Sequence, residues 1–143
     1  MRLVLDTNIV ASGFFWGGNP AQLLDAAQIG EIELYTSRPL LAELSRILSR
    51  RKFAKVVAAT GLTIEDLVLD YVALATVVAP VQIDPVIARD PADDAVLACA
   101  LTANADLIVS GDRHLLDLGG TYQGIRIVTP AEAVQLIAAS GQD

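Results

Sequence analysis

Apolar positions along this chain come in short blocks whose period changes. Leu3-Val4-Leu5 is aliphatic without alternation, which predicts a strand from Arg2 to Asp6 covered on both faces, as in a parallel sheet. A helix is expected from about Asn8, broken at Gly17-Gly18-Asn19-Pro20. Asn19 suits a helix cap with Pro20 in the first helical position, and that second helix runs to about Ile29, where Gly30 stops it. Ile32 to Tyr35 reads as a second strand. From Ser37, a good cap, the spacing becomes helical: Leu40, Leu44, Ile47 and Leu48 share one face of a helix that reaches about Arg50.

The second half continues the alternation. A shorter helix covers Phe53 to Ala59 and ends at Gly61. Thr63, with Asp66 three residues on, marks another start, and Leu67, Val68, Tyr71, Leu74 and Ala75 supply its buried face. Val77 to Val81 reads as a short strand, and Asp90 to Ala103 as a helix with Asp90 as cap and Pro91 in its first turn. Asp106 to Ser110 is a strand, Arg113 to Leu116 a short helix, and Ile125 to Val128 a last strand. Thr129-Pro130 opens a terminal helix to about Ala138. Strands alternating with helices predict a three-layer α/β/α fold with a mostly parallel central sheet. Residues 1–139 are expected to form a single domain, with 140–143 a short frayed tail.

Composition agrees with a folded, reduced protein. A chain of 143 residues that is 53% hydrophobic and 19% charged can bury a core. Cys99 is the only cysteine, so no intrachain disulfide forms, which fits the cytoplasm. Its alanine neighbours make it a buried, inert thiol. No membrane association is expected. The uncharged run from Tyr71 to Ile83 is too short to span and contains Pro80, and Asp6 interrupts the first apolar run too early for a signal peptide. Phe14-Phe15-Trp16 is either core or an oligomer contact.

Charge narrows the picture further. A net charge of −7 argues against passive, salt-driven binding to nucleic acid. Yet five of the ten basic residues, Arg46, Arg50, Arg51, Lys52 and Lys55, fall within ten positions. They form either a solvated helix face or a rim that holds phosphates.

The chemistry of the chain lies in its acids. Asp6 ends the first strand, Glu43 sits beside Leu40, Leu44 and Ile47, Asp93 and Asp94 open an apolar helix, and Asp112 follows the strand that ends near Ser110. Each has an ordinary reading. Asp6 and Asp112 can cap helices, Glu43 can pair with Arg46, and Asp93 and Asp94 complement a helix dipole. Burying isolated carboxylates is costly, however, and sites in open α/β sheets form beyond the strands' carboxyl ends. Four apolar-flanked acids without matching bases point to a shared site for a hard cation, Mg²⁺ or Mn²⁺. Asn8 is then placed to orient the carboxylates. Other chemistries lack their residues. There is no Cys/His zinc spacing, phosphate-binding loop or dinucleotide fingerprint, and His114, the only histidine, reads as a surface residue. Leu5-Asp6-Thr7-Asn8 is similar to the start of haloacid-dehalogenase phosphatases, but Asn8 stands where those need a second Asp.

Taken in order, these motifs resemble the PIN-domain ribonucleases. Asp6-Thr7-Asn8, Glu43, Arg89-Asp90-Pro91-Ala92-Asp93-Asp94, Ala105 to Asp112, and Gly124 to Pro130 carry the likeness over nearly the whole chain. The nearest branch is similar to VapC-like toxins of bacterial and archaeal toxin–antitoxin pairs. The resemblance implies a PIN-like fold and an endoribonuclease that needs Mg²⁺ or Mn²⁺. It implies Asp6, Glu43, Asp93 and Asp112 as the catalytic, metal-holding quartet, with Asp94 a substitute for Asp93 or an addition to it. Thr7, Asn8 and Ser110 match the supporting polar positions. Arg46, Arg50, Arg51 and Lys52 are candidates for flanking RNA phosphates. An RNA substrate, a cognate antitoxin protein and a homodimer are the implied partners. A non-catalytic PIN fold that binds RNA or serves as a scaffold is the alternative. His114 departs from the branch, whose members often carry an acid there.

Overall fold

The computed structural model describes residues 1–84 and 91–141, with residues 91 and 92 placed as helix backbone. Six strands form one sheet: β1 (Arg2–Leu5), β2 (Glu33–Thr36), β3 (Ala75–Val77), β4 (Leu107–Val109), β5 (Thr121–Tyr122) and β6 (Ile125–Val128). The order is β3-β2-β1-β4-β6-β5, parallel throughout except that β5 runs antiparallel to β6. The helices are α1 (Thr7–Phe15), α2 (Gly18–Gln28), α3 (Arg38–Leu48), α4 (Ala54–Thr60), α5 (Ile64–Leu74), α6 (Pro91–Ala103), α7 (Arg113–Leu116) and α8 (Pro130–Ser140), with a 3₁₀ turn at Arg51–Phe53 before α4.

Alternation along the strands divides the core in two. Leu3, Leu5, Leu107, Val109 and Val128 face α1, α2, α5, α8 and the Leu44-Ile47-Leu48 side of α3. Val4, Ile108, Ile125 and Ile127 face α6 and α7, joined by Leu40. Both sheet faces are therefore covered, and the strands need aliphatic residues on both sides. The result is the three-layer α/β/α arrangement with a mostly parallel sheet that the alternation of elements predicts.

Strand order fixes where a site can form. From β1 the chain steps outward through β2 to β3, and α6 leads back to β4 on the other side of β1. The direction of winding reverses between β1 and β4, and the crevice beyond the carboxyl ends of such a pair is the usual binding position in open α/β sheets.

Several elements differ from the sequence expectation. α2 begins at Gly18, capped by Gly17, rather than at Pro20 capped by Asn19. Gly17 and Gly18 take φ of 67° and 70°, so they make the turn themselves. Pro20 then falls within the first turn, where its missing N–H would have no intrahelical partner. The third strand is Ala75–Val77 rather than Val77 to Val81. Here α5 passes directly into β3, and the ladder closes where Val78 N donates to Thr36 O at 2.9 Å, just before Pro80. Ala75 therefore belongs to the sheet rather than to the face of α5, on which Leu67 and Tyr71 are buried. β5 has no counterpart in the sequence reading. Gln123 and Gly124, at φ of 48° and 84°, link it to β6 in a two-residue hairpin of the kind that needs positive φ at both positions. The expected cap Asp90 lies outside the described residues.

The remaining side-chain expectations divide. Phe14 and Phe15 pack at the edge of the first core. Trp16 is 52% exposed, with its ring 5.0 Å from that of Phe53. Cys99 is fully buried, and burial pushes its thiol up to about 12 against a smaller opposing hydrogen bond with Ser37. No helix among the described residues is long and apolar enough to cross a membrane.

Candidate metal centre

Asp6 stands where β1 ends and α1 begins, only 5% exposed. Its backbone N–H donates to Val109 O at 2.9 Å, which ties β1 to β4 at their carboxyl ends. Its two carboxylate oxygens do different work. Oδ1 accepts from Asn8 N at 3.3 Å and caps α1, while Oδ2 accepts from Ser110 Oγ at 2.8 Å. Helix cap and candidate acid are thus one residue. Thr7 is buried beside it, and Asn8 is exposed and reaches Asp6 through its backbone N–H.

Ser110 is the hinge of the arrangement. It is fully buried, and its N–H donates to Val128 O at 3.0 Å, which fixes it against β6. Its hydroxyl donates to Asp6 and accepts from Asp112 N at 2.9 Å. One side chain therefore links the acid after β1 to the loop after β4.

That loop delivers a second group of donors. Asp112 caps α7, its Oδ1 accepting from His114 N at 2.8 Å. Asp93, in the first turn of α6, is 3% exposed. His114 Nδ1 lies 3.7 Å from Asp93 Oδ2 and 3.6 Å from Asp112 Oδ1. Asp93, Asp112 and His114 each offer a ligand atom, all within 4.8 Å of one another, the one such set of three among the described residues. Asp94, the neighbouring acid, is half-buried and outside this set.

Glu43 projects from α3, which packs against both α1 and α6. Its side chain is 14% exposed and ion-paired with Arg46 one turn on, the ordinary reading of its spacing. It does not join the three-residue set. Arg50, Arg51, Lys52 and Lys55 are exposed, and Lys52 Nζ lies 5.1 Å above the Phe53 ring. Arg46 contributes with Ser45, Ser49 and Glu65 to an open groove of about 550 Å³ between α3 and α5.

By sequence alone His114 reads as a surface residue. It is exposed, yet it stands beside two of the candidate acids. The signal was present: an Asp that caps a helix binds the N–H two residues on, so residue 114 is held next to the Asp112 carboxylate.

The donor set suits a divalent cation. Two carboxylates and an imidazole converge, and one of the carboxylates is buried where an unscreened charge is costly. The PIN domain model matches residues 2–114. The chain belongs to the PIN-domain family. No curated protein matches it. PIN domains are generally nucleases and use divalent metal ions, so a nuclease-type fold here coincides with an acidic cluster that can hold a metal. The matched PIN span begins in β1 and contains Asp6, Glu43, Asp93, Asp112 and His114.

Proposed function

We propose that this PIN domain is a metal-dependent endoribonuclease that cleaves RNA phosphodiester bonds, and that it is the toxin of a toxin–antitoxin pair. The observation that supports this most is the convergence of buried Asp93 with Asp112, joined through Ser110 to buried Asp6, at the point where the sheet reverses.

In this reading Asp6, Glu43, Asp93 and Asp112 hold Mg²⁺ or Mn²⁺, and Asp94 adds negative charge beside them. Such a cation lowers the pKa of a bound water and offsets charge gathering on the scissile phosphate. Ser110 orients Asp6 by donating to its Oδ2. Thr7 and Asn8 support the start of α1. Arg46, Arg50, Arg51 and Lys52 take flanking phosphates, so that a chain of net charge −7 still accommodates RNA. A cognate antitoxin covers the acidic pocket, the toxin works in the cytoplasm, and it forms a homodimer.

A second reading, a non-catalytic RNA-binding or scaffold module, draws on the Glu43–Arg46 pair, which neutralises one acid without a metal. One experiment separates the two. Incubation with RNA in Mg²⁺ or Mn²⁺ should give cleavage that excess chelator stops and that falls at least about 100-fold in Asp6→Asn. Cleavage unchanged in that variant or in chelator sinks the nuclease proposal. RNA binding without cleavage and without Mn²⁺ uptake in calorimetry favours the scaffold.

A further inference from the structure

The residue that the four-acid reading leaves out is the one whose ring lies between two of the acids. We propose that His114 is itself a ligand of this centre and gives it a preference for first-row transition dications over Mg²⁺. The inference rests on the metal-dependent reading above and adds to it a fifth residue and a metal class.

The geometry is near that of a shared ion. Donors about 2.1 Å from one cation are about 3.0 Å apart when adjacent in an octahedron and about 3.4 Å apart in a tetrahedron. His114 Nδ1 stands at 3.6 and 3.7 Å from the Asp112 and Asp93 oxygens, beyond those values by less than an ångström. The His114 side chain is 59% exposed, so it has room for the small rotation that closes the difference. The residue is also held in place, because its backbone N–H is bound to Asp112 at 2.8 Å and the cap of α7 keeps it beside that carboxylate.

The donor chemistry supplies the preference. Mg²⁺ takes oxygen ligands and retains its waters, whereas imidazole nitrogen suits transition ions. A purely carboxylate centre discriminates little in favour of nitrogen-seeking ions. Replacing one oxygen donor by Nδ1 shifts the balance toward them. Mn²⁺ is the weakest binder of the series at such sites, so it is the strictest probe.

The competing role for His114 is that of a counter-ion, an imidazolium paired with both acids. The two roles predict opposite signs. A counter-ion competes with the metal, and its removal tightens binding; a ligand's removal loosens it. Calorimetry of the full chain with Mn²⁺ and with Mg²⁺ should show Mn²⁺ at least tenfold tighter. His114→Asn should weaken Mn²⁺ about tenfold while Mg²⁺ changes less than twofold, and His114→Asp should move the preference toward Mg²⁺. Pulsed electron paramagnetic resonance of the Mn²⁺ form should show nitrogen coupling that disappears in His114→Asn. Mn²⁺ bound without nitrogen coupling, or bound as tightly or more tightly by His114→Asn, overturns the ligand role and leaves the metal centre standing. No Mn²⁺ uptake by the unsubstituted chain overturns the metal reading and this inference together.

Discussion

At the scale of single residues, Ser110 joins two of the candidate acids across the end of the sheet. Its hydroxyl links Asp6, 104 positions away in sequence, to the backbone of Asp112. Ser110→Ala leaves the Asp112 N–H without that acceptor and removes one of the donors to the Asp6 carboxylate. A fully buried bridge of this kind should cost about 1–3 kcal/mol in thermal or denaturant unfolding. Mn²⁺ affinity, read by calorimetry, should drop about 10–100-fold, since groups behind metal ligands typically have that effect. Asp6 and Asp112 are legible in the sequence because Asp6 directly follows one aliphatic strand and Asp112 stands three residues past the end of another. The Ser110 bridge and the position of His114 beside Asp93 are not, because they depend on β4 lying next to β1 and on α6 reaching the same end of the sheet. Cys99 tests the core at the same scale. The folded thiol titrates near 12 and an ordinary one near 9.0, so the unfolded chain ionises first. Stability therefore falls as pH rises from about 9 toward 12, and is unaffected by this group below that window. A thiol reagent at pH 8 should leave Cys99 unmodified until denaturant is added; rapid labelling of the folded protein contradicts the packing of α6.

At the scale of elements, the caps account for most of what could be read in advance. Thr63 and Asp66 form a reciprocal capping box at the start of α5, at 3.0 and 3.1 Å, as their spacing predicts. Thr63→Ala should destabilise the fold by about 1 kcal/mol in denaturant unfolding. The backbone N–H of Thr63, and then its side chain, hold the Asp66 carboxyl below its ordinary 3.8. That contribution is present above pH 3.8 and disappears as pH falls through the lower folded value. Asp66→Asn should thus be less stable than the unsubstituted protein above pH 3.8, with the two curves converging as pH falls below that value in acid unfolding. Aliphatic blocks and helical stripes located β1, α3 and β6 for the same reason: each pattern is imposed by local geometry and one buried face. β3 and β5 escaped it. Ala75 reads as helix until the sheet's Thr36 carbonyl recruits Val78, and Thr121-Tyr122 is too short to show a period before the Gln123-Gly124 turn.

At the scale of the whole molecule, the fold brings like charges together and should gain stability when a cation separates them. Asp6 is tied to β4, Asp112 to α7 and Asp93 to α6, so the centre spans both sides of the sheet reversal. A ligand that binds only the folded state stabilises it by about 2.7 kcal/mol at 100 times its Kd, a rise in Tm of the order of 10 °C for a domain of this size. Melting curves with increasing Mn²⁺ should show that rise. Asp93→Asn should reverse the order of stabilities. Without metal, the variant lacks a buried carboxylate facing Asp112, and should melt at or above the unsubstituted protein. With Mn²⁺ it lacks one of the proposed ligands, and should melt well below it. A centre built only for structure gives no such crossing, since loss of a supporting acid lowers Tm in both conditions. The crossing is what distinguishes acids retained for a cation, at some cost to the empty fold, from acids that merely cap and pair within it.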